Sequence, residues 1–466
     1  MTELIVSKFG GSSVADAAQI EKVRNIVEAD SPRRYVVVSA PGRSSPDEQK
    51  VTDHLLNMAT SGRHFREQRL PITPSASRSA IRDKFSRIRR DLKLDGEDIL
   101  EALKRDLDSQ LEGDRRTAFL ASRGEHYNAR IIAAYLSQSG LPAEARLPED
   151  FGLLVSDEYL DAKVLDAAYP NMAELENESV ISVIPGFYGV TESGDVAVFS
   201  RGGSDLTGGE VAFAIDAHTY ENWTDVSGVF EADPRVIPDA RAIPRLTFKE
   251  IRLLASKGFN VFHFDAMQRC KQRKIPINIR NTNRPQEPGT LILNERVPEE
   301  GIVGIARLDN MAAIYLEKDT LGEEVGFTAA LLTIFQDFNI NTYYYPTDKD
   351  DIAVLVSQDD LTGTINDLRR RIDRHLKPDH MGVEYNLAVI TPVGAGLKGN
   401  TFPIADALGA LAEAHIPIAM IDQSPSQLCF HIGVSQAVAD EATRILYPVS
   451  NTHLTLPTTI GCCRSR

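Results

Sequence analysis

The stretch KFGGSS, Lys8 to Ser13, follows a short apolar run, Leu4–Val6, near the start of the 466-residue chain. A lysine at a strand end, a glycine pair and then hydroxyls opening a helix form a pattern suited to an anion. Helix N-termini offer free amides and a partial positive charge. Two common phosphate motifs are excluded by spacing. The lysine precedes the glycines, so this is no GxxxxGK[ST] loop, and the stretch is not a GxGxxG fingerprint either. A strand–helix turn that needs glycine, with Lys8 in solvent, accounts for the same residues. Helical spacing runs from Val14 to Ala29, and a second β-branched run follows at Tyr35–Val38. Short apolar strands separated by a helix are the mark of a buried parallel sheet.

Later strand candidates are Val180–Ile184, Val196–Phe199 and Ile277–Arg280. Their alternation with helices over residues 1–295 predicts an α/β domain with a mostly parallel central sheet. Ligands of such sheets sit at the carboxyl ends of the strands. The loops that start at Lys8, Ser39 and Ser200 are therefore expected to face one crevice. SRGGSD, Ser200–Asp205, repeats the logic of the first loop with an arginine. Arg201 offers a planar fork for a carboxylate or phosphate. Gly202 and Gly203 permit close backbone approach, and Asp205 opens the next helix, where an acid also serves as an N-cap or first-turn residue. Two such loops fit a double-phosphate or phosphate-plus-carboxylate site. WTDVSGVFEADPR, Trp223–Arg235, reads as a strand end and a turn-rich loop. Thr224 and Asp225 could bond a ribose or base there, and Arg235 a phosphate. Glu125, in SRGE (Ser122–Glu125), and Thr52 are ambiguous in isolation, since Ser-x-x-Glu is a capping box and Thr52 is an N-cap candidate.

Composition narrows the function. The net charge of −15 disfavours nucleic acid or an anionic membrane as partner. No apolar run approaches the ~20 residues that span a bilayer, and no signal peptide is evident. Cys270, Cys429, Cys462 and Cys463 show no metal-ligand spacing, so a reducing, cytoplasmic setting is expected and no metal ligands are assigned. Residues 63–93 hold ten Lys/Arg and three acids, with Ile81, Phe85, Ile88 and Leu92 spaced as one helix face. This predicts an amphipathic helix with a solvated basic side.

After Glu287–Ile292 the texture changes. Two segments of about 65 residues each read strand–helix–strand–strand–helix. The first runs from AAIYL to LTGTINDLRRRI and the second from NLAVI to AVADEATRIL. Two ferredoxin-like βαββαβ modules are expected, at 301–378 and 379–447. Residues 448–466 lack periodicity and are expected to be disordered or foreign to the functional protein.

KFGGSSVAD, SRGE, FSRGGSDLTG, WTDVSGVFEADPR and the terminal repeat occur in the order seen in aspartate kinases, and the chain resembles that family over roughly residues 3–447. The resemblance implies a three-layer amino-acid-kinase domain followed by two regulatory ACT modules. It implies transfer of the ATP γ-phosphoryl group to the β-carboxylate of L-aspartate with Mg²⁺. It assigns Lys8 to the moving phosphoryl group with the Gly10, Gly11 and Ser12 loop, and Asp205 to orienting Lys8 or the metal-bound phosphates. Thr52, Glu125, Arg201, Gly202, Gly203 and Ser204 become substrate positions, with Glu125 on the α-amino group. Thr224, Asp225, Phe230, Arg235, Asn260 and Val261 become nucleotide positions. Two departures stand out. GFNVFHF, Gly258–Phe264, replaces a frequent GAKVLHP, so Asn260 stands where lysine is usual, and Phe230 stands where tyrosine is frequent. The resemblance further implies a homodimer or dimer of dimers, and lysine or threonine as an effector near Gly326–Phe327 and Asn339–Tyr345. A monofunctional enzyme is expected. A related small-acid kinase and a non-catalytic ACT sensor of amino acids are the alternatives.

Overall fold

A computed structural model describes residues 3–59, 72–94, 98–177, 180–200, 202–255, 264–297 and 301–450, without the side chains of 176, 177, 264–266 and 450. The chain divides into two compact units. One draws on residues 1–229, 242–248 and 260–296, the other on 230–241, 249–259 and 297–466.

The first unit is built on an eight-stranded sheet. In chain order its strands and one hairpin are β1 (Ile5–Phe9), β2 (Arg33–Val38), β3 (Ala143–Ala145), β4 (Ile181–Pro185), β5 (Tyr188–Val190), β6 (Val196–Val198), β7 (Thr219–Thr224), β8 (Arg245–Thr247), β9 (Ile277–Asn281) and β10 (Thr290–Leu293). The sheet order is β3-β4-β2-β1-β7-β9-β10-β8, parallel throughout except where β10 meets β9. Val36, Val37 and Val38 are wholly buried, as strands covered on both faces require. Val196–Phe199 departs from expectation. Its strand, β6, pairs with β5 in a separate antiparallel hairpin, because a two-stranded ribbon needs no crossover helix.

The helices of this part of the chain are α1 (Ala17–Glu28), α2 (Val51–Ala59), α3 (Pro74–Asp91), α4 (Asp98–Leu107), α5 (Gly113–Gln138), α6 (Pro148–Phe151), α7 (Ala168–Ala173), α8 (Gly203–Ala214), α9 (Phe248–Ala255), which from Lys249 belongs to the second unit, and α10 (Phe264–Gln272). Asp16 caps α1 by accepting the Gln19 amide at 3.0 Å. Ile20, Val23 and Val27 of α1 share a core with Phe9, Trp223, Phe85 and Leu120. Ile81, Phe85, Ile88 and Leu92 are buried as the spacing predicts. The basic face is not all solvated, however. Lys84 is buried and donates to Ser44 Oγ and Glu48 Oε2, both at 2.8 Å, which ties the loop before α2 to α3.

The second unit carries a six-stranded antiparallel sheet, order β12-β13-β11-β14-β16-β15. Its strands are β11 (Gly304–Glu317), β12 (Thr342–Tyr344), β13 (Asp351–Ser357), β14 (His380–Val393), β15 (Met420–Gln423) and β16 (Phe430–Ser435), with helices α11 (Phe327–Asp337), α12 (Ile365–Leu376), α13 (Phe402–Glu413) and α14 (Ala439–Ser450). The repeat is present, but its linear order does not carry over to the sheet. Ala313–Glu317 pairs with His380–Glu384 and Gly304–Leu308 with Val389–Val393. One core joins Ile314 and Leu316 to α11 and α12, and the other joins Ile302 and Ile305 to α13 and α14. The strand that completes the second module therefore precedes the first. Register shifts separate the halves of β11 and β14. Asn310 (φ 57°) and Asn386 (φ 58°) take left-handed conformations there, which asparagine tolerates. The two bends are met alike: Gln436 Oε1 accepts the Asn310 amide and Gln358 Oε1 the Asn386 amide, both at 2.9 Å. Among the described residues no helix is long and apolar enough to cross a membrane.

Candidate active site

The site grows from the carboxyl end of β1. Side chains alternate along a strand, so Ser7 and Phe9 face α1 while Lys8 faces α8. Lys8 is buried, forms an ion pair with the Asp205 carboxylate and donates to Asn222 Oδ1 of β7 at 3.3 Å. Asp205 lies in the first turn of α8, where an acid is favoured by the helix dipole. Both readings of Asp205, first-turn acid and partner of Lys8, hold together.

The second glycine loop has a conformational reason for its glycine. Gly202, the residue before α8, has φ 59°, a region that L side chains enter only at a cost. At Gly42 a Cβ would stand 2.6 Å from the Gly11 backbone, whose carbonyl accepts the Gly42 amide at 2.9 Å. The first glycine loop and the loop after β2 are thereby held against each other. The Gly10 amide is engaged by the Trp223 carbonyl at 3.0 Å. The amides of the short turn Gly11–Val14 come next along the loop.

Lys8, Gly10, Gly11, Ser39, Thr52, Glu125, Gly202, Gly203, Ser204 and Asp205 line one cavity of about 230 Å³, together with Phe187. Thr52 lies inside α2 rather than capping it. Glu125 is buried in the middle of the 26-residue helix α5, far from either end, so the capping-box reading of SRGE fails. Asn128 of the same helix donates to the Ser39 carbonyl at 2.7 Å and fixes α5 against the β2 loop. Arg123 is held between Ser122 and Asp106, the latter at 3.0 Å. His126, buried beside Arg123 and Arg130, is pushed down to about 2 by burial first and those charges second, and bonds the Tyr188 hydroxyl at 3.0 Å. The helix segment behind Glu125 therefore carries a neutral imidazole at working pH.

Ser12 is exposed at the mouth of the first loop and is absent from the cavity lining. Thr224 and Asp225 follow at the end of β7. Thr224 Oγ1 donates to Asp225 Oδ1 at 3.1 Å, and Asn281 Nδ2 donates to the Asp225 carbonyl at 3.3 Å. Phe230 and Arg235 belong to the second unit, where the Arg235 guanidinium is exposed and pairs with Asp233 at 2.6 Å. Arg201, Asn260 and Val261 lie outside the described residues. Phe187 and Asn222 carried no sequence signal. Phe187 (φ 78°) follows an ordinary-looking strand, and its amide is taken by Thr207 Oγ1 at 3.1 Å. Asn222 reads as any polar residue in a strand until the register sets it opposite Lys8. Among the described residues no group of three or more His, Cys, Asp or Glu side chains is placed to hold a metal ion.

Residues 3–281 match the amino acid kinase family. Aspartokinase 3 of Bacillus subtilis is 37% identical over 95% of this chain and 97% of its own length. The crystal structure of Clostridium acetobutylicum aspartate kinase, described as an allosteric enzyme, superposes with a TM-score of 0.84 at 32% identity, covering 96% of this chain and 100% of that one. Escherichia coli aspartokinase III, in complex with aspartate and ADP, shares the fold with a TM-score of 0.71 at 24% identity over 96% of this chain and 99% of its own. The chain belongs to the amino acid kinase family and, within it, to the aspartokinases.

Proposed function

We propose that this protein transfers the ATP γ-phosphoryl group to the β-carboxylate of L-aspartate, giving 4-phospho-L-aspartate and ADP. The observation that carries the reading is the single cavity in which a buried lysine and two glycine loops meet a buried glutamate. The nucleophile is a carboxylate, ionised at neutral pH (free Asp pKa about 3.9), so no general base is needed. Catalysis rests on positioning and on neutralising charge. Lys8, steadied by Asp205 and Asn222, stabilises the moving phosphoryl group. Glu125 takes the substrate ammonium, and Thr52, Arg201, Gly202, Gly203 and Ser204 hold its carboxylates. Since the Gly10 amide is engaged elsewhere, the Gly11 and Ser12 amides serve the phosphates. Thr224, Asp225, Phe230, Arg235, Asn260 and Val261 are assigned to the nucleotide.

The donor set fits a Mg²⁺ that arrives with the nucleotide. Mg²⁺ commonly keeps one or two carboxylates plus substrate phosphates rather than a protein cage, and Asp205 is the cavity carboxylate beside Lys8. The ion would screen the phosphate charge. The kinase domain is assigned to residues 1–295 and the ACT modules to the six-stranded sheet of 301–447. Lysine or threonine is the proposed effector, at the α11 start and β12, in a cytoplasmic homodimer or dimer of dimers. An ATP- and Mg²⁺-dependent hydroxamate assay tests the reaction: acyl hydroxamate is expected with L-aspartate, and its absence from folded protein overturns the reading. Inhibition by lysine, threonine or both together tests the effector.

A further inference from the structure

A second cavity in the first unit, about 410 Å³, is lined by Lys22, Asn25, Asp30, Arg33, Arg280 and Asn283 among others, and shares no lining residue with the catalytic one. It belongs to the other face of β7. Asn222 points to Lys8, whereas Glu221 and Trp223 point toward α1. The Glu221 side chain is 4% exposed. It accepts from Arg33 Nε at 2.8 Å and Nη2 at 3.0 Å, from Arg280 Nη1 at 3.2 Å, from Trp223 Nε1 at 2.9 Å and from Ser7 Oγ at 2.9 Å. Burial raises this carboxyl, but the hydrogen bonds and charge of Arg33 outweigh burial and hold it below its ordinary value. It is therefore ionised.

The charge does not balance. Three cations, Lys22, Arg33 and Arg280, stand against two carboxylates, Glu221 and Asp30, the latter 3.6 Å from Arg33. Arg33 is nearly spent, since its Nη1 also donates to the Ile26 carbonyl at 2.8 Å. Arg280 is not. Its Nη2 donates to the Pro285 carbonyl at 2.8 Å and its guanidinium lies 4.5 Å over the Trp223 ring, but its buried Nε has no hydrogen-bond partner among the described residues. A buried donor without an acceptor is costly, and a guanidinium suits an oxyanion. Among the described residues Lys22 holds only the neutral Asn283 Oδ1, at 2.7 Å, and its flexible stem can turn to a ligand.

We propose that this cavity is a second binding site, for a compact oxyanion, phosphate or carboxylate, held by Arg280 and Lys22. The volume lies within the range of small-molecule sites, roughly 300–1,000 Å³, and so admits a body carrying the oxyanion. The site shares β7 with the catalytic loop. The Trp223 carbonyl accepts from Gly10 and Ser13, and the neighbouring Asn222 holds Lys8.

The test is equilibrium dialysis with labelled inorganic phosphate and, separately, labelled acetate. Full-length protein carrying Lys8→Ala is used, to weaken anion binding in the catalytic cavity. Saturable binding of at least one anion is expected, at least tenfold weaker with Arg280→Gln and severalfold weaker with Lys22→Ala added. Trp223, the one tryptophan of the chain, should change its fluorescence on saturation and lose that response in the added variants. Phosphate alone, or acetate alone, identifies the source of the oxyanion. Should Arg280→Gln fail to fold, Lys22→Ala decides, because Lys22 makes no bond to Glu221. No saturable binding of either anion, or binding that survives the substitutions unchanged, overturns the proposal.

Discussion

Strand β7 separates two buried charge clusters, one residue apart in sequence and on opposite faces. On one face Lys8 meets Asp205 and Asn222 at the wall of a cavity. On the other, Glu221 is enclosed by two arginines, a tryptophan and a serine. Among the described residues the first cluster keeps a lysine with one carboxylate partner at the wall of a cavity. The second saturates a carboxylate from all sides. A charge that is to act on a ligand is left partly uncommitted, whereas one that holds strands together is closed off.

The comparison can be broken from either side. Lys8→Ala should lower kcat by about 10³-fold or more, the scale for a cation on a transferring phosphoryl group, with the circular-dichroism melt nearly unchanged. A melt that collapses with activity would make Lys8 a structural residue like Glu221. Glu221→Ala should do the reverse, removing about 3–5 kcal/mol of stability in urea unfolding, because it leaves two guanidinium groups buried without their carboxylate. A loss under about 1 kcal/mol would mean the arginines find solvent. Gly202→Ala sharpens the catalytic side. Forcing a Cβ into φ 59° costs about 1–2 kcal/mol, read as a raised KM for aspartate with a smaller change in kcat.

The smallest effect concerns a third solution to burial, giving up the charge. His126 is neutral in the fold because burial lowers it to about 2. The unfolded chain binds a proton near 6.5, so stability from this group is complete above that pH and falls as pH drops toward 2. At pH 5.5 the loss is about 1.3 kcal/mol relative to pH 7. His126→Gln should flatten that part of the stability–pH curve, and an unchanged slope would mean the imidazole is protonated in place.

Much of this was legible in the order of residues. The first loop, the second loop and Asp205 carry local signatures, since glycine pairs, helix starts and flanking charges are adjacent in the chain. Thr52 and Glu125 were not legible from their neighbours alone. Both matched helix-capping patterns, and only their places inside α2 and α5 remove those readings. Spacing reads the basic face of α3 as solvated, yet Lys84 on that helix reaches a loop some forty positions away in sequence. The repeat was visible, but the pairing of β11 with β14 was not, because strand order in a sheet is not written in linear sequence.

By itself the sequence determined the parallel α/β core, the two anion-seeking loops and the repeated second unit, because apolar period, glycine placement and helix starts are local properties. Only the tertiary structure decided which face of β7 each charge occupies, that Asn222 rather than a neighbour holds Lys8, and that Arg280 keeps a donor unspent beside a second cavity. Those outcomes depend on strand register and on partners more than two hundred positions apart in the chain for the Lys8–Asn222 contact, and such distances leave no trace in spacing.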